Sequence, residues 1–265
     1  MARIITIANN KGGVGKTTTA VSLGAALRNR GFDVLIVDYD GQANVTDTLR
    51  VPTDAGTVYD AMKRQITPYI RAARILEPDG AAGFLDVLPS TFDVSALESE
   101  LSDQPDRLTR FYNVLSKYTD KYDAIIVDTP PTLGLLAVSA LYAADDLIIT
   151  IQPQYLAVKG LVALQDAINA VNRNRQGLNI KAYVLITQYD KRKSLHRMTA
   201  EQVEGAGFRT FSTKIRENVA LGEAPAVGLD IFRYAPKSNG AADYDDFAAE
   251  YLDTHKLRHI KHNKK

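Results

Sequence analysis

Short runs of β-branched and apolar residues recur along the chain, each closed by polar or turn-forming residues. They lie at Ile4 to Ala8, Val34 to Val37, Phe84 to Leu88, Ala124 to Val127, Leu147 to Ile151 and Ala182 to Thr187. Most are continuous rather than alternating, as in parallel strands covered on both faces. Patterns of helical period separate them. Leu161, Leu164, Ile168 and Val171 are spaced three, four and three apart, which sets one apolar stripe along a helix. A second helix is expected over Thr17 to Arg30. Because strand and helix alternate, the pattern predicts an α/β fold, a doubly wound and mostly parallel sheet flanked by helices.

Ligands of such sheets bind beyond the carboxyl ends of the strands, so the polar residues that follow each apolar run are the ones to examine. After the first run come Asn9, Asn10 and a glycine-rich loop; after the second, Asp38-Tyr39-Asp40-Gly41-Gln42-Ala43-Asn44. Asp128-Thr129-Pro130-Pro131 follows the Ala124 run, Gln152-Pro153 the Leu147 run, and Gln188-Tyr189-Asp190 the Ala182 run. Acidic groups therefore gather at the sheet end that carries the loop.

That loop reads Lys11-Gly12-Gly13-Val14-Gly15-Lys16-Thr17-Thr18, between a strand and a helix, the context a phosphate-binding loop requires. Its glycines let successive N–H groups turn inward toward phosphate oxygens, and the helix beginning at Lys16 adds the positive end of its dipole. Lys16 is expected to reach the terminal phosphates of a nucleotide, and the Thr17 hydroxyl to ligate magnesium. Lys11 is an additional cation at the loop entrance. Spacing alone does not say where it points.

Magnesium keeps several waters and takes few protein ligands, so Thr17 with Asp128 in the outer shell is chemically sufficient. Asp38 and Asp40 are two residues apart at a strand end and project to the same side if the extended conformation persists. One of them would hold the metal's water shell while the other orients the attacking water. The alternative is that they cap the following helix together with Asn44 and Thr46.

Composition narrows the setting. The chain has 265 residues, 45% of them apolar, enough for one large α/β unit. Cysteine is absent, which excludes disulfides, iron–sulfur clusters and thiolate metal sites. No window approaches the ~18 consecutive apolar residues of a spanning helix, and Met1 leads straight into a strand without a signal-peptide layout. A soluble cytoplasmic protein is expected. The net charge is +1, with 18 basic and 21 acidic side chains over residues 1–190 but 14 and 10 over residues 191–265. The four histidines show no metalloprotease or triad spacing, and His255 and His259 read as part of a solvated tail.

Taken together, the loop, the Asp38-Tyr-Asp40 segment and Tyr122-Asp-Ala-Ile-Ile-Val-Asp128-Thr-Pro-Pro131 resemble the P-loop NTPases with a deviant Walker A motif of the ParA and MinD family. Thr213-Lys-Ile-Arg216-Glu-Asn218-Val-Ala-Leu-Gly-Glu223-Ala-Pro225 and Tyr234-Ala-Pro-Lys-Ser-Asn-Gly240 resemble its ParA/Soj branch. The likeness extends from about residue 2 to about residue 254, implying a single ATPase domain over 1–254 and a basic tail over 255–265.

The resemblance implies ATP and magnesium as cofactors, with Lys11 crossing to the partner's nucleotide in an ATP-bound sandwich homodimer. It implies Asp40 as the water-positioning residue, Asp38 as its companion near the metal, Asp128 as the Walker B carboxylate, and the stretch with Arg216 and Asn218 against the adenine. Function in that family is nonspecific DNA binding by the dimer and hydrolysis stimulated by a ParB-type centromere-binding partner. A nucleoid-associated protein without membrane binding is thereby expected.

Two departures stand out. Gly41 replaces the usual proline after the second aspartate and is expected to loosen that loop. Ala220 replaces a basic residue often credited with DNA contact. The remaining DNA candidates are Lys191, Arg192, Lys193 and Arg197, of which Arg192 matches a basic contact position of the family. Lysine and arginine there would give sequence-independent, salt-sensitive phosphate contacts, or else simply a solvated loop. Lys237 and the tail residues Lys256, Arg258, Lys261, Lys264 and Lys265 would extend the patch.

Two rival readings stay open. A MinD-like positioning ATPase needs a terminal amphipathic helix, whereas the tail offers Leu257 and Ile260 among many charges. A metabolic ligase on the same loop, of the dethiobiotin-synthetase kind, leaves Lys11 and the Asn218 to Pro225 segment without a role.

Overall fold

The computed structural model of the chain describes residues 1–64, 83–154, 157–175 and 179–259. Seven parallel strands form one sheet in the order β3-β2-β4-β1-β5-β6-β7. They are β1 (Arg3–Ala8), β2 (Val34–Asp38), β3 (Leu85–Leu88), β4 (Ala124–Asp128), β5 (Asp146–Ile151), β6 (Lys181–Tyr189) and β7 (Thr210–Arg216). The doubly wound parallel sheet expected from the hydrophobic runs is thus present, and all six runs are strands.

The seventh strand has a different signature. Thr210–Arg216 lies at the sheet edge, buries Phe211 and Ile215, exposes Ser212 and Arg216, and pairs with β6 through register shifts. An edge strand that buries only part of its length carries no continuous apolar run.

Strand alternation splits the core between two faces. Ile5, Ile7, Val34, Ile36, Ile126 and Phe211 pack with the helices Lys16–Asn29 and Asn239–His255. Ile4, Leu35, Val37, Ile125 and Val127 pack on the opposite face, against Phe111 and Leu115 and against Leu136 and Ala140 of the Leu135–Ala143 helix. Farther along that face, the stripe of Leu161, Leu164, Ile168 and Val171 on the Ala157–Asn174 helix is buried as its spacing predicts. Burying each such side chain stabilises by ~1.5–3 kcal/mol, which outweighs the ~1 kcal/mol cost of Gly160 within the helix.

The carboxyl-terminal helix corrects one expectation. His255 is its last residue and is buried, stacked on Tyr251 with ring centroids 4.4 Å apart, its Nε2 3.6 Å from Asp146 Oδ1. His259 stacks on Phe32 at 4.1 Å. His255 therefore does not belong to a solvated tail, whereas His259 remains exposed as expected, with one ring face against Phe32 near the amino-terminal ends of the strands. Ile260, Lys261, Lys264 and Lys265 lie outside the described residues.

Candidate nucleotide site

β1 and β4 are neighbours, yet the chain leaves β1 toward β2 and leaves β4 toward β5. The sheet therefore reverses its winding between them, and a crevice opens beyond their carboxyl ends. The 11–18 loop follows β1, and Asp128 ends β4.

Gly13 and Gly15 adopt left-handed conformations, φ 72° and 84°, which glycine enters without steric cost. They turn the chain into the Lys16–Asn29 helix, which begins where the motif predicts. The loop is held from outside: Thr187 Oγ1 donates to Val14 O at 2.8 Å and Gln188 Nε2 to Gly13 O at 2.7 Å. Both follow from the polar end of β6.

The two lysines of the loop diverge. Lys16 is buried and donates from Nζ to Lys11 O at 3.1 Å. Burial lowers its pKa, while Asp128 and Asp40 pull it back up. Lys11 is exposed, and its Nζ hydrogen-bonds Gln154 Oε1 on the segment after β5. Asn9, Asn10, Lys159 and Gly160 complete a cleft of about 570 Å³ around it.

Thr17 Oγ1 donates to Asp128 Oδ2 at 2.6 Å. Asp38 and Asp128 are register partners across β2 and β4, and both are fully buried beside Asp40. Burial and then the proximity of Asp38 push the Asp128 carboxyl up to about 8, against the Thr17 hydrogen bond and Lys16. Asp38 is pushed up to about 6 by burial, against the bonds from Thr46. Asp128 Oδ1 is buried without a hydrogen-bond partner. Two buried carboxylates in register, one with an orphaned acceptor oxygen, fit a divalent cation. Among the described residues no three ligating side chains converge on one point, so that cation would keep most of its waters, as magnesium does.

Asp38 is more engaged than a free ligand. Its Oδ2 accepts from Thr46 N at 2.9 Å and Thr46 Oγ1 at 2.7 Å, while Ser90 N donates to Thr46 Oγ1 at 2.9 Å and Ser90 Oγ to Asp40 O at 2.7 Å. Asp38 thus combines the capping contact with burial beside Asp128. Ser90, which sequence reasoning missed, follows the Phe84–Leu88 run, and the strand-end rule would have found it. The loosening expected at Gly41 is corrected: Gly41 is buried, and Ser95 Oγ occupies the place of a Cβ, so the position is tightly packed.

Arg216 and Asn218 line a second cleft of about 510 Å³ with Gly15, Thr18, Leu221 and Tyr244, which brings them to the phosphate loop. Arg216 is clamped by Asp243 through Nη2 at 2.6 Å and Nε at 3.0 Å. Asn218 caps the Val219–Glu223 helix, its Oδ1 accepting from Ala220 N.

The four basic candidates Lys191, Arg192, Lys193 and Arg197 lie together and exposed in the turn after β6 and the start of the Ser194–Gly205 helix. Their charge is partly compensated within the chain. Arg192 pairs with Asp190 at 2.9 Å, holding that carboxyl well below the usual carboxylate range, and Lys193 pairs with Glu217 at 2.8 Å. Arg197 Nη1 donates to Lys191 O at 2.8 Å.

A glycine-rich loop at the switch point of a parallel sheet, with a carboxylate ending the adjoining strand, defines a P-loop nucleotide-binding protein. Residues 2–181 match the family model described as an AAA domain. The chain is 38% identical over 256 residues to the sporulation initiation inhibitor protein Soj of Bacillus subtilis, covering 94% of this chain and 98% of that protein. It is 38% identical over 250 residues to the chromosome partitioning protein ParA of Myxococcus xanthus, covering 92% and 86%. Among solved structures, one described as cobyrinic acid a,c-diamide synthase from Mycobacterium smegmatis, with bound ADP and magnesium, superimposes with a TM-score of 0.79 at 30% identity over 97% of this chain and 96% of that one. The chain belongs to the ParA/Soj family of P-loop ATPases.

Proposed function

We propose that the chain is a DNA-partition ATPase that binds ATP with magnesium, closes into a sandwich homodimer, holds DNA without sequence preference, and hydrolyses ATP when a ParB-type partner stimulates it. The observation that carries this reading is the divergence of the two loop lysines: Lys16 is buried beside the carboxylates, and Lys11 stands exposed at the mouth. One cation serves the chain's own phosphates, and the other is free to serve a second copy's.

In this mechanism the inward N–H groups of Gly12 to Thr18 hold the phosphates, and Lys16 leaves Lys11 O to reach the terminal ones. Thr17, Asp38 and Asp128 are the residues that would hold a magnesium ion, the carboxylates by way of its water shell, and the ion would supply positive charge against the phosphate oxygens. Asp40, whose Oδ1 is oriented by Gln42 N at 3.0 Å, positions the attacking water and takes up its proton. Arg216 and Asn218 frame the base. Basal turnover is weak because the second lysine arrives only with the partner copy.

DNA phosphates displace Asp190 and Glu217 from Arg192 and Lys193, and Lys191 and Arg197 complete the patch. The protein then works in the cytoplasm on the nucleoid; no helix among the described residues is long and apolar enough to cross a membrane. The deciding experiment combines size-exclusion mass with DNA cosedimentation, each with and without ATP and magnesium. A doubled mass and DNA binding that both require ATP are expected, and a monomer that never sediments with DNA overturns the reading.

A ligase has one observation in its favour, the synthase description of the Mycobacterium smegmatis structure. It leaves the exposed Lys11 and the 191–197 patch without a task. An ATP-dependent amide product from carboxylic acid substrates would decide for it.

A further inference from the structure

One short segment, the turn Phe92–Ala96 and the helical turn Leu97–Glu100, touches both the residue after Asp40 and the start of the helix that follows the Asp128 loop. Ser95 fills the space beside Gly41, its backbone N 3.1 Å from where a Cβ would stand. One turn later the Glu98 carboxylate accepts Leu135 N–H at 2.8 Å and Leu136 N–H at 3.1 Å. These amides open the Leu135–Ala143 helix, whose N-cap is Gly134 and supplies no side chain.

The first amides of a helix have no partner within it, and a serine, threonine or aspartate at the N-cap is the usual remedy. Here the remedy comes from a carboxylate 37 residues away, which also meets the positive end of the helix dipole. Gly134 permits the approach, since a Cβ there would stand 2.8 Å from Glu98 Cδ.

Between Asp128 and Gly134 the connection is short and stiff. Pro130 and Pro131 fix their own φ angles, and Thr129 Oγ1 is anchored to Ile7 O at 2.9 Å. The start of the helix therefore governs the loop that leaves Asp128. The same helix reaches the other aspartates: Tyr39, which stands between Asp38 and Asp40, meets Ser139 Oγ through its hydroxyl at 3.2 Å in a fully buried contact.

We infer that Glu98 is a positioning residue for ATP hydrolysis, holding the Asp128 loop and, through Ser95 and the Tyr39–Ser139 contact, the Asp40 loop in one fixed arrangement. It is not catalytic, since its partners are backbone amides. The inference rests on the ATPase reading above, and its test separates the two. In the full-length protein, Glu98→Ala is expected to lower kcat about tenfold through misplaced reacting groups while ATP affinity stays within about twofold. Glu98→Gln, which keeps one acceptor oxygen, is expected to recover part of that loss. Amide hydrogen exchange should quicken together in 39–46 and 128–136 in Glu98→Ala, at an unchanged rate in the Asn239–His255 helix. Quickening confined to 134–137, or a kcat equal to wild type, overturns the inference. If the wild-type protein hydrolyses no ATP, the role in positioning for hydrolysis falls with the ATPase reading, and the exchange pattern still reports whether Glu98 ties the two loops.

Discussion

Thr17 Oγ1 and Asp128 Oδ2 lie 2.6 Å apart, which joins the first turn of the loop helix to the end of β4. The bond satisfies one oxygen of a buried carboxylate and leaves the other, Oδ1, without a partner. Because Asp128 is pushed up to about 8 from its ordinary 3.8, the native state binds a proton that the unfolded chain has already released. The contribution of Asp128 to the stability of the nucleotide-free protein should therefore be fully present below pH ~3.8 and be lost as pH rises toward 8, with that of Asp38 lost up to about pH 6. Asp128→Asn should remove the upper part of that fall. Thermal midpoints should show the variant's advantage growing from pH 5 to pH 8, and parallel curves would remove Asp128 as the source.

Lys16→Ala should weaken nucleotide binding about 10- to 100-fold, the worth of a charged hydrogen bond at ~1.5–3 kcal/mol. Titration with a fluorescent ATP analogue measures it. Affinity equal to wild type would mean that the phosphates do not sit over Lys16.

Lys11→Ala should leave ATP binding by the monomer within about twofold, because Lys11 is exposed and its Nζ partner is Gln154, outside the 11–18 loop. It should abolish the ATP-dependent increase in mass. Light scattering with ATP and magnesium checks this, and an unchanged dimer would end the cross-dimer role of Lys11.

Replacing Arg192 and Lys193 by glutamate should remove DNA binding at moderate salt and spare basal hydrolysis. Glu217→Gln should act in the opposite direction by releasing Lys193, strengthening DNA binding and steepening its salt dependence by about one ion. Gel shifts over a salt series report both. Glu217→Gln without effect would place Lys193 away from the DNA.

The legible and illegible parts of the chain divide by range of interaction. The six continuous strands and the loop were readable because their chemistry lies in adjacent residues: Ile4 to Ala8 buries both faces, and Lys11 to Thr18 needs no distant partner to define its motif. β7 was not, because an edge strand that buries only Phe211 and Ile215 carries too little apolar signal. The hydrogen bonds linking Thr46, Ser90 and Asp40 depend on residues 44 and 50 positions apart meeting at one sheet end. No local pattern encodes such a meeting. Burial of His255 was equally hidden, since Asp146, Tyr183 and Phe211, which surround it, are far away in sequence.

Gly41 makes the final case, because its role reversed between sequence and structure. Without a side chain it was expected to slacken the loop after Asp40, yet the missing Cβ leaves the space that Ser95 Oγ fills. Gly41→Ala should therefore overpack the site, costing ~1–3 kcal/mol of stability. Ser95→Gly removes both the Oγ and the Cβ, which would stand 3.2 Å from the new methyl, and leaves only the Ser95 backbone N at 3.1 Å. The double variant should recover most of the loss, giving a favourable interaction free energy in a double-mutant cycle by urea unfolding. Additive losses would mean that the two residues do not share that space. Proline, the family's usual residue here, should be worse than alanine, because its ring adds Cγ and Cδ to the same crowded side.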